Sequence, residues 1–404
     1  MKKLLLATLV SAASIAAAHA DGPTLYGKIN ASVDNVNSDL NSKSTTTVDS
    51  NASRFGIKGS EKLTDQLSAI YGIEWGVVID HSSANTSTDV PASGGTTDLN
   101  ARNRFIGLQY DGVGAIKVGR LDTNFKTLQG VNPSTGIDIF DDYVNGNLDM
   151  TQTLTGENRD DNVISFESAK FETGFGALAA NFQINPSEKT VAEGSAGKTG
   201  VTATSTSVLF TNKDLGLYTG LAYDTNQTDV WNATSTFNKS TIAGTKITLA
   251  SSTLQKSSTN AFRWVGSADL GKLAGVDGVT LNALFQQSKQ TNLAAGTVAP
   301  KENAYLVSAV YKFPASILDG LSAKVQWQSA TTSDLGTGVS DVKIDQLGAD
   351  LDYAFSAKTK VYGFVAQRTI KNPNNPDASS AFAANGYDKN YKYTAFGVGL
   401  EQKF

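Results

Sequence analysis

Residues 24–34 read Thr24-Leu25-Tyr26-Gly27-Lys28-Ile29-Asn30-Ala31-Ser32-Val33-Asp34. In an extended chain Leu25, Gly27, Ile29, Ala31 and Val33 fall on one side, and Tyr26, Lys28, Asn30, Ser32 and Asp34 on the other. Neighbouring side chains of a strand point to opposite faces, so this period of two predicts a strand with one apolar and one polar face. Leu67 to Ile79 repeats it, with Leu67, Ala69, Tyr71, Ile73, Trp75, Val77 and Ile79 on one side and Glu74 and Asp80 opposite. At the carboxyl end Phe396, Val398, Leu400 and Phe404 share a face that Gln402 interrupts.

Extended along the chain, the same reading gives sixteen strands. They lie near 24–34, 53–61, 66–80, 101–111, 114–121, 161–169, 175–184, 203–212, 215–224, 260–270, 278–288, 303–313, 320–330, 343–355, 359–370 and 391–404. The stretch 225–260 is ambiguous and leaves room for one or two strands more or fewer. No segment has the period of a long amphipathic helix. Short turns such as Lys62-Leu63-Thr64-Asp65 and Asp111-Gly112-Val113-Gly114 alternate with long Ser-, Thr-, Asn- and Gly-rich connections, among them 35–52, 81–100, 189–202 and 371–390.

Short turns at one end and long loops at the other are the pattern of a transmembrane antiparallel β-barrel. Composition agrees, because only 40% of the 404 residues are hydrophobic, a low share for a chain this long with a dry core. A barrel that turns its apolar face to lipid and fills its interior with polar side chains has no such core. Aromatic residues near strand ends (Trp75, Phe105, Tyr110, Tyr353, Phe355, Tyr393, Phe404) suit interface girdles. A soluble β-solenoid or a string of sandwiches would also alternate, but it would show a short internal repeat, and none is visible.

The first twenty residues read as a cleaved export signal: Lys2 and Lys3, an apolar run from Leu4 to Ala18, and the small-x-small site Ala18-His19-Ala20. The barrel is then expected over 21–404. Removing the signal takes the formal charge from -4 to about -6, with no basic excess to hold nucleic acid. The absence of Cys excludes disulfides, thiolate nucleophiles and Cys-ligated zinc. No cofactor or metal motif is present. A barrel hydrolase would need a nucleophile with a base, but the mature chain keeps one histidine, His81, in a polar loop. Gly194-Ser195-Ala196-Gly197-Lys198-Thr199 misses a phosphate loop, because Ala192 stands where the motif requires Gly.

Several segments in order resemble the general trimeric porins of Gram-negative outer membranes, particularly the β-proteobacterial type. They are Leu25-Tyr26-Gly27-Lys28, Ser53-Arg54-Phe55-Gly56-Ile57-Lys58-Gly59, Arg104-Phe105-Ile106-Gly107-Leu108, Val118-Gly119-Arg120 and the terminal Phe404, an assembly signal in that family. The resemblance implies a sixteen-stranded barrel, a homotrimer in outer-membrane lipid, and passive diffusion of ions and small hydrophilic solutes. It also implies that the connection from Asp122 to Asp160 folds into the barrel and narrows it. Acidic residues of that loop (Asp138, Asp141, Asp142, Asp149) would then face a basic ladder of Lys28, Arg54, Arg102 and Arg159, with Arg104 and Arg120 as further members.

Alternation supports part of this ladder independently. Lys28 and Arg54 fall on polar faces, and a charge turned to lipid at mid-membrane costs about 2–4 kcal/mol. Glu74 falls on a polar face as well and is expected in the lumen. Arg102 and Arg104 share a face opposite Asn103 and Phe105, whereas Arg120 shares one with Val118 and Ile116. A substrate-selective channel for sugars or anions is the nearest alternative within transport. An adhesin role for the long loops is compatible with either.

Overall fold

A computed structural model of the chain describes residues 22–38, 44–79, 99–143, 148–150, 153–186, 202–229, 257–291, 298–334, 341–371 and 391–404. The expected signal, residues 1–20, lies outside them, as do His81 and the near-miss phosphate loop.

The first strand is Thr24–Ser38; the second runs in two pieces, Thr45–Ser50 and Arg54–Lys62, both paired with the first. Strands three to five are Leu67–Val77, Leu99–Tyr110 and Gly114–Asp122. The sixth is also in two pieces, Arg159–Ser168 and Phe171–Thr173, and both pair with the seventh, Gly176–Asn185. Strands eight to twelve are Ala203–Asn212, Leu217–Asp229, Ser257–Asp269, Val279–Thr291 and Lys301–Lys312. Strands thirteen to sixteen are Leu321–Ser333, Val342–Ala354, Thr359–Lys371 and Tyr391–Lys403. Each pairs antiparallel with its neighbours, and the sixteenth returns to the first from Lys28↔Lys403 to Ser38↔Tyr393. Phe404 completes the seam, since its N–H donates to the Gly27 carbonyl (3.1 Å) and the Gly27 N–H donates back (3.2 Å).

Closure leaves no free edge, and side chains alternate between two environments. Leu25, Ile29 and Val33 are exposed on the outside, while Lys28, Asn30, Ser32 and Asp34 are buried inside. The sheet is therefore inverted relative to a soluble protein: carbon outward, hydrogen-bonding groups inward. No described helix is long and apolar enough to cross a membrane; the strands do so. Tyr110, Phe171, Phe175, Tyr311, Phe355 and Phe404 stand exposed near the short turns, as an interface girdle requires. Tyr393 and Phe105 do not belong to it. Tyr393 is buried, and Phe105 lies over Gly72 on the inner face.

The connection between strands five and six folds inward. It turns back with one short helix, Asn124–Thr127, capped by Thr123 Oγ1 accepting from Lys126 N (3.2 Å). Phe125, Leu128, Ile137, Met150 and Leu154 then pack on Val265, Leu284 and Leu306, and Phe140, Tyr143 and Leu148 on Ile344, Tyr362 and Phe364. Those wall residues are inward members of their strands, so the described parts of the connection lie within the barrel.

Candidate functional site

The seat of this loop explains why it stays inside. Its backbone would leave unpaired polar groups in an enclosed space, and inward side chains of the wall satisfy them. Gln326 accepts from Ile139 N (3.0 Å), Ser308 donates to the Ile137 carbonyl (2.9 Å), and Glu302 accepts from Thr155 N (3.0 Å) as well as from its hydroxyl (2.7 Å). Arg263, fully buried on strand ten, donates to the Phe125 carbonyl (3.1 Å), pairs with Glu157 (2.6 Å) and covers the Phe125 ring at 4.1 Å. Gly348 leaves the room that Leu148 occupies, since a Cβ there would collide with the Leu148 side chain.

Asp142 is at the tip, with a left-handed φ of 78° that Asp tolerates better than most residues. Its two oxygens take Lys28 Nζ (2.5 Å) and Arg54 Nη1 (2.9 Å), and Lys28 also reaches Glu401 (3.2 Å). Burial alone would raise the Asp142 carboxyl, but Arg54 and Lys28 outweigh it and hold the group well below the ordinary range. Asp141 beside it is exposed to the lumen. Enclosure by the barrel, then repulsion from Asp142 and Asp149, pushes its carboxyl up to about 7, against Arg54 and Lys28. Water on its open side screens part of that push, so its midpoint is expected between the ordinary carboxylate value and about 7.

Asp138 and Asp149 have different surroundings. Asp138 is buried, accepting from Phe140 N (3.0 Å), Met150 N (2.7 Å) and Gln326 (2.7 Å), which ties the two arms of the loop to the wall. Burial, then Asp149 and Asp141, push its carboxyl well above the ordinary value. Asp149 is buried too and accepts a long bond from Asp142 N (3.4 Å). Of the four expected loop acids, Asp141 and Asp142 stand toward the basic wall, and Asp138 and Asp149 hold the loop together.

On that wall, Arg102 pairs with Glu74 (2.5 Å), both inside. Arg159 pairs with Asp122 (3.0 Å), which also holds Lys126 (3.3 Å), and donates to Asn103 (3.0 Å). Arg104 and Arg120 are elsewhere. A bulge where the register passes from Ile73↔Arg104 to Trp75↔Ala101 turns both Arg102 and Asn103 inward. Arg104 consequently emerges on the outer face with Ile106 and Leu108, directly opposite Arg120, which pairs with Asp161 at 2.7 Å. The expectation that Arg102 and Arg104 share a face is corrected by this one extra residue; the face shared by Arg120, Val118 and Ile116 is the outer one.

The sequence reading also missed half of the charged belt. Lys324 on strand thirteen pairs with Asp352 and, at 3.6 Å, with Asp350; Lys360 on strand fifteen reaches Asp352 at 3.6 Å. Tyr143, next to the tip, accepts from Lys360 (3.2 Å) and donates to Asp352 (3.3 Å), with the Lys324 and Lys360 ammonium groups 5.7 and 5.3 Å from its ring. With Glu401, Lys28, Arg54, Glu74 and Arg102, these residues alternate in sign from strand thirteen round to strand four, except that the cations Lys28 and Arg54 are neighbours and share Asp142. Each lies on the inward face of a strand whose other face is apolar, and that was the available signal.

The family described as Gram-negative porin matches residues 6–373. No curated protein sequence matches the chain. Among solved structures, the anion-selective porin from Comamonas acidovorans is similar with a TM-score of 0.62 at 18% identity, over 95% of this chain and 99% of that one. The outer membrane channel DcaP of Acinetobacter baumannii gives 0.58 at 12% identity, over 95% and 97%. Salmonella typhi OmpF gives 0.56 at 15% identity, also over 95% and 97%.

Proposed function

We propose, taking as premise that the chain belongs to the Gram-negative porin family, that its channel is narrowed and tuned by the loop tip and the basic wall. The protein is an outer-membrane β-barrel that passes solutes by passive diffusion. The finer reading is that Asp141 and Asp142 on one side, and Lys28, Arg54, Arg102 and Arg159 on the other, set a transverse field across the water path. Width limits solute size, the charge rings bias ion choice, and a polar solute aligns its dipole where an apolar one would disorder oriented water. No catalytic step enters this reading.

The observation that carries it is the approach of Asp142 to Lys28 and Arg54 inside a closed, polar-lined barrel. Reversal potentials in planar bilayers test it. Neutralising Arg54 and Arg159 together is expected to move the potential toward cation preference, and an unchanged potential would remove both residues from the narrowing.

The same family membership supports a homotrimer, and the outer wall of strands four to six adds a physical reason. Arg104 lies six residues from Tyr110, about 20 Å along the strand at roughly 3.3 Å per residue, near the middle of a band about 25 Å tall once tilt is counted. An arginine facing lipid there costs about 2–4 kcal/mol, so Arg104, and Arg120 with its partner Asp161, are better placed under the cover of a neighbouring subunit. Heat-resistant trimers on unboiled gels are the expected result. A monomer under every condition would sink this part.

A further inference from the structure

We propose that Asp34 and Asp49, on the inner wall toward the loop end of the barrel, form a site for a hard divalent cation of the calcium type. The proposal does not rest on the reading of the narrowing, because Asp34 lies six residues beyond Lys28 on the same strand, about 20 Å away.

The register places the group. Asp34 lies opposite Thr47 on strand two, and Ser32 opposite Asp49. Val33 and Val48 between them are exposed outside, so all four polar residues project inward. The Asp34 carboxyl lies beside Ser32 and the Asp49 carboxyl, and Asp49 accepts from Thr47 Oγ1 (2.7 Å). On its other side Asp34 faces Gly397, where any Cβ would collide with Asp34 Oδ1 and with the edge of the Phe364 ring. Glycine there keeps open the hollow that the carboxylate fills.

The electrostatics of this hollow differ from those of the belt below it. Asp34 has no solvent exposure, neither of its oxygens meets a donor within hydrogen-bond geometry, and no Lys or Arg pairs with either aspartate among the described residues. Asn51 contributes a third such acceptor: it is buried, its Nδ2 donates to Ser32 (2.8 Å), and its Oδ1 meets no donor. Two adjacent carboxylates repel, and burying them without a counter-charge is costly. A cation removes both penalties. The available donors are all oxygen: two carboxylates, the hydroxyls of Ser32 and Thr47, and the Asn51 amide. That set suits calcium, which accepts six to eight oxygens in flexible geometry, better than a transition metal that selects nitrogen or sulfur.

Calorimetric titration of calcium chloride into the folded, chelator-stripped protein in detergent tests the assignment. Acidic external loops can bind calcium too, so the reading is the difference between proteins. Wild type is expected to hold one calcium per chain that Asp34→Asn loses or binds more than about tenfold more weakly. Asp49→Asn, at a partly exposed position where folding is not at stake, should show the same loss. Equal calcium binding by wild type and Asp49→Asn would overturn the proposal. So would the absence of calcium binding to wild type, which would mean that the two carboxyls share a proton instead.

Discussion

The loop rests on two unlike walls. Toward strands nine to twelve it lies largely on carbon, with Phe125, Leu128, Ile137 and Met150 against Val265, Leu284 and Leu306, and the charges that meet it there, Arg263 and Glu302, are enclosed. Toward strands thirteen to two a smaller carbon patch under Phe140 and Leu148 gives way to charge at the tip, with Asp142 between Lys28 and Arg54, and Tyr143 between Lys360 and Asp352. Apolar contact resists salt and pH and fixes position. Ion pairs in an aqueous passage are individually weaker and respond to both. The difference teaches that seating and selectivity can be altered separately.

The largest expected effect comes from the carbon-lined wall. Arg263→Ala leaves Glu157 buried without its partner and frees the Phe125 carbonyl, a loss of about 3–5 kcal/mol from the seat of the loop. Single-channel recording should show a larger, noisier conductance, and denaturant unfolding in detergent a lower midpoint. A quiet channel of wild-type size would mean that this wall does not hold the loop.

At the charged tip the cost is smaller and the functional change more specific. Asp142→Asn gives up charge-assisted bonds to Lys28 and Arg54, about 1.5–3 kcal/mol each at most, while Glu401 still compensates Lys28. The reversal potential should move toward anions with little change in mean conductance. Tyr143→Phe is milder still. It keeps the ring contacts and loses two hydrogen bonds of about 1 kcal/mol each, so current fluctuations should grow while ion preference stays put. If Tyr143→Phe shifted selectivity as far as Asp142→Asn, the division between anchoring and field-setting residues would fail.

How much of this was legible in the sequence depends on what each feature needs. Strand positions and the inward placement of Lys28, Arg54 and Glu74 follow from alternation, a local property written every second residue. The face of Arg104 does not, because one bulged residue between Ala101 and Arg104 inverts everything after it. Lys324, Asp352, Lys360 and Glu401 are equally legible by alternation, but no family motif falls on them, since the resemblance rests on the first five strands and the terminal Phe404. The sorting of Asp138 and Asp149 into the interior of the loop, and of Asp141 and Asp142 toward the wall, was out of reach. It depends on a return path fixed by distant partners such as Gln326 and Arg263.

The finest separation within the tip is between neighbours, Asp141 and Asp142. Asp142 is held well below the ordinary carboxylate range and stays ionised through the useful pH span. Asp141 is raised, to a midpoint between the ordinary value and about 7, so it gains its charge within that span. The folded state then binds more protons than the unfolded one over this interval, and the seat of the tip is firmest at the acidic end and weakens as pH rises toward 7. In the same interval the lumen gains a negative charge, so cation preference should increase modestly from pH 5 to 8. Asp138 is also raised and could contribute, but an Asp141→Asn channel keeps whatever Asp138 does. The difference in reversal-potential shift between wild type and Asp141→Asn therefore isolates the exposed carboxylate, and identical pH profiles for the two channels would show that Asp141 does not titrate in the passage.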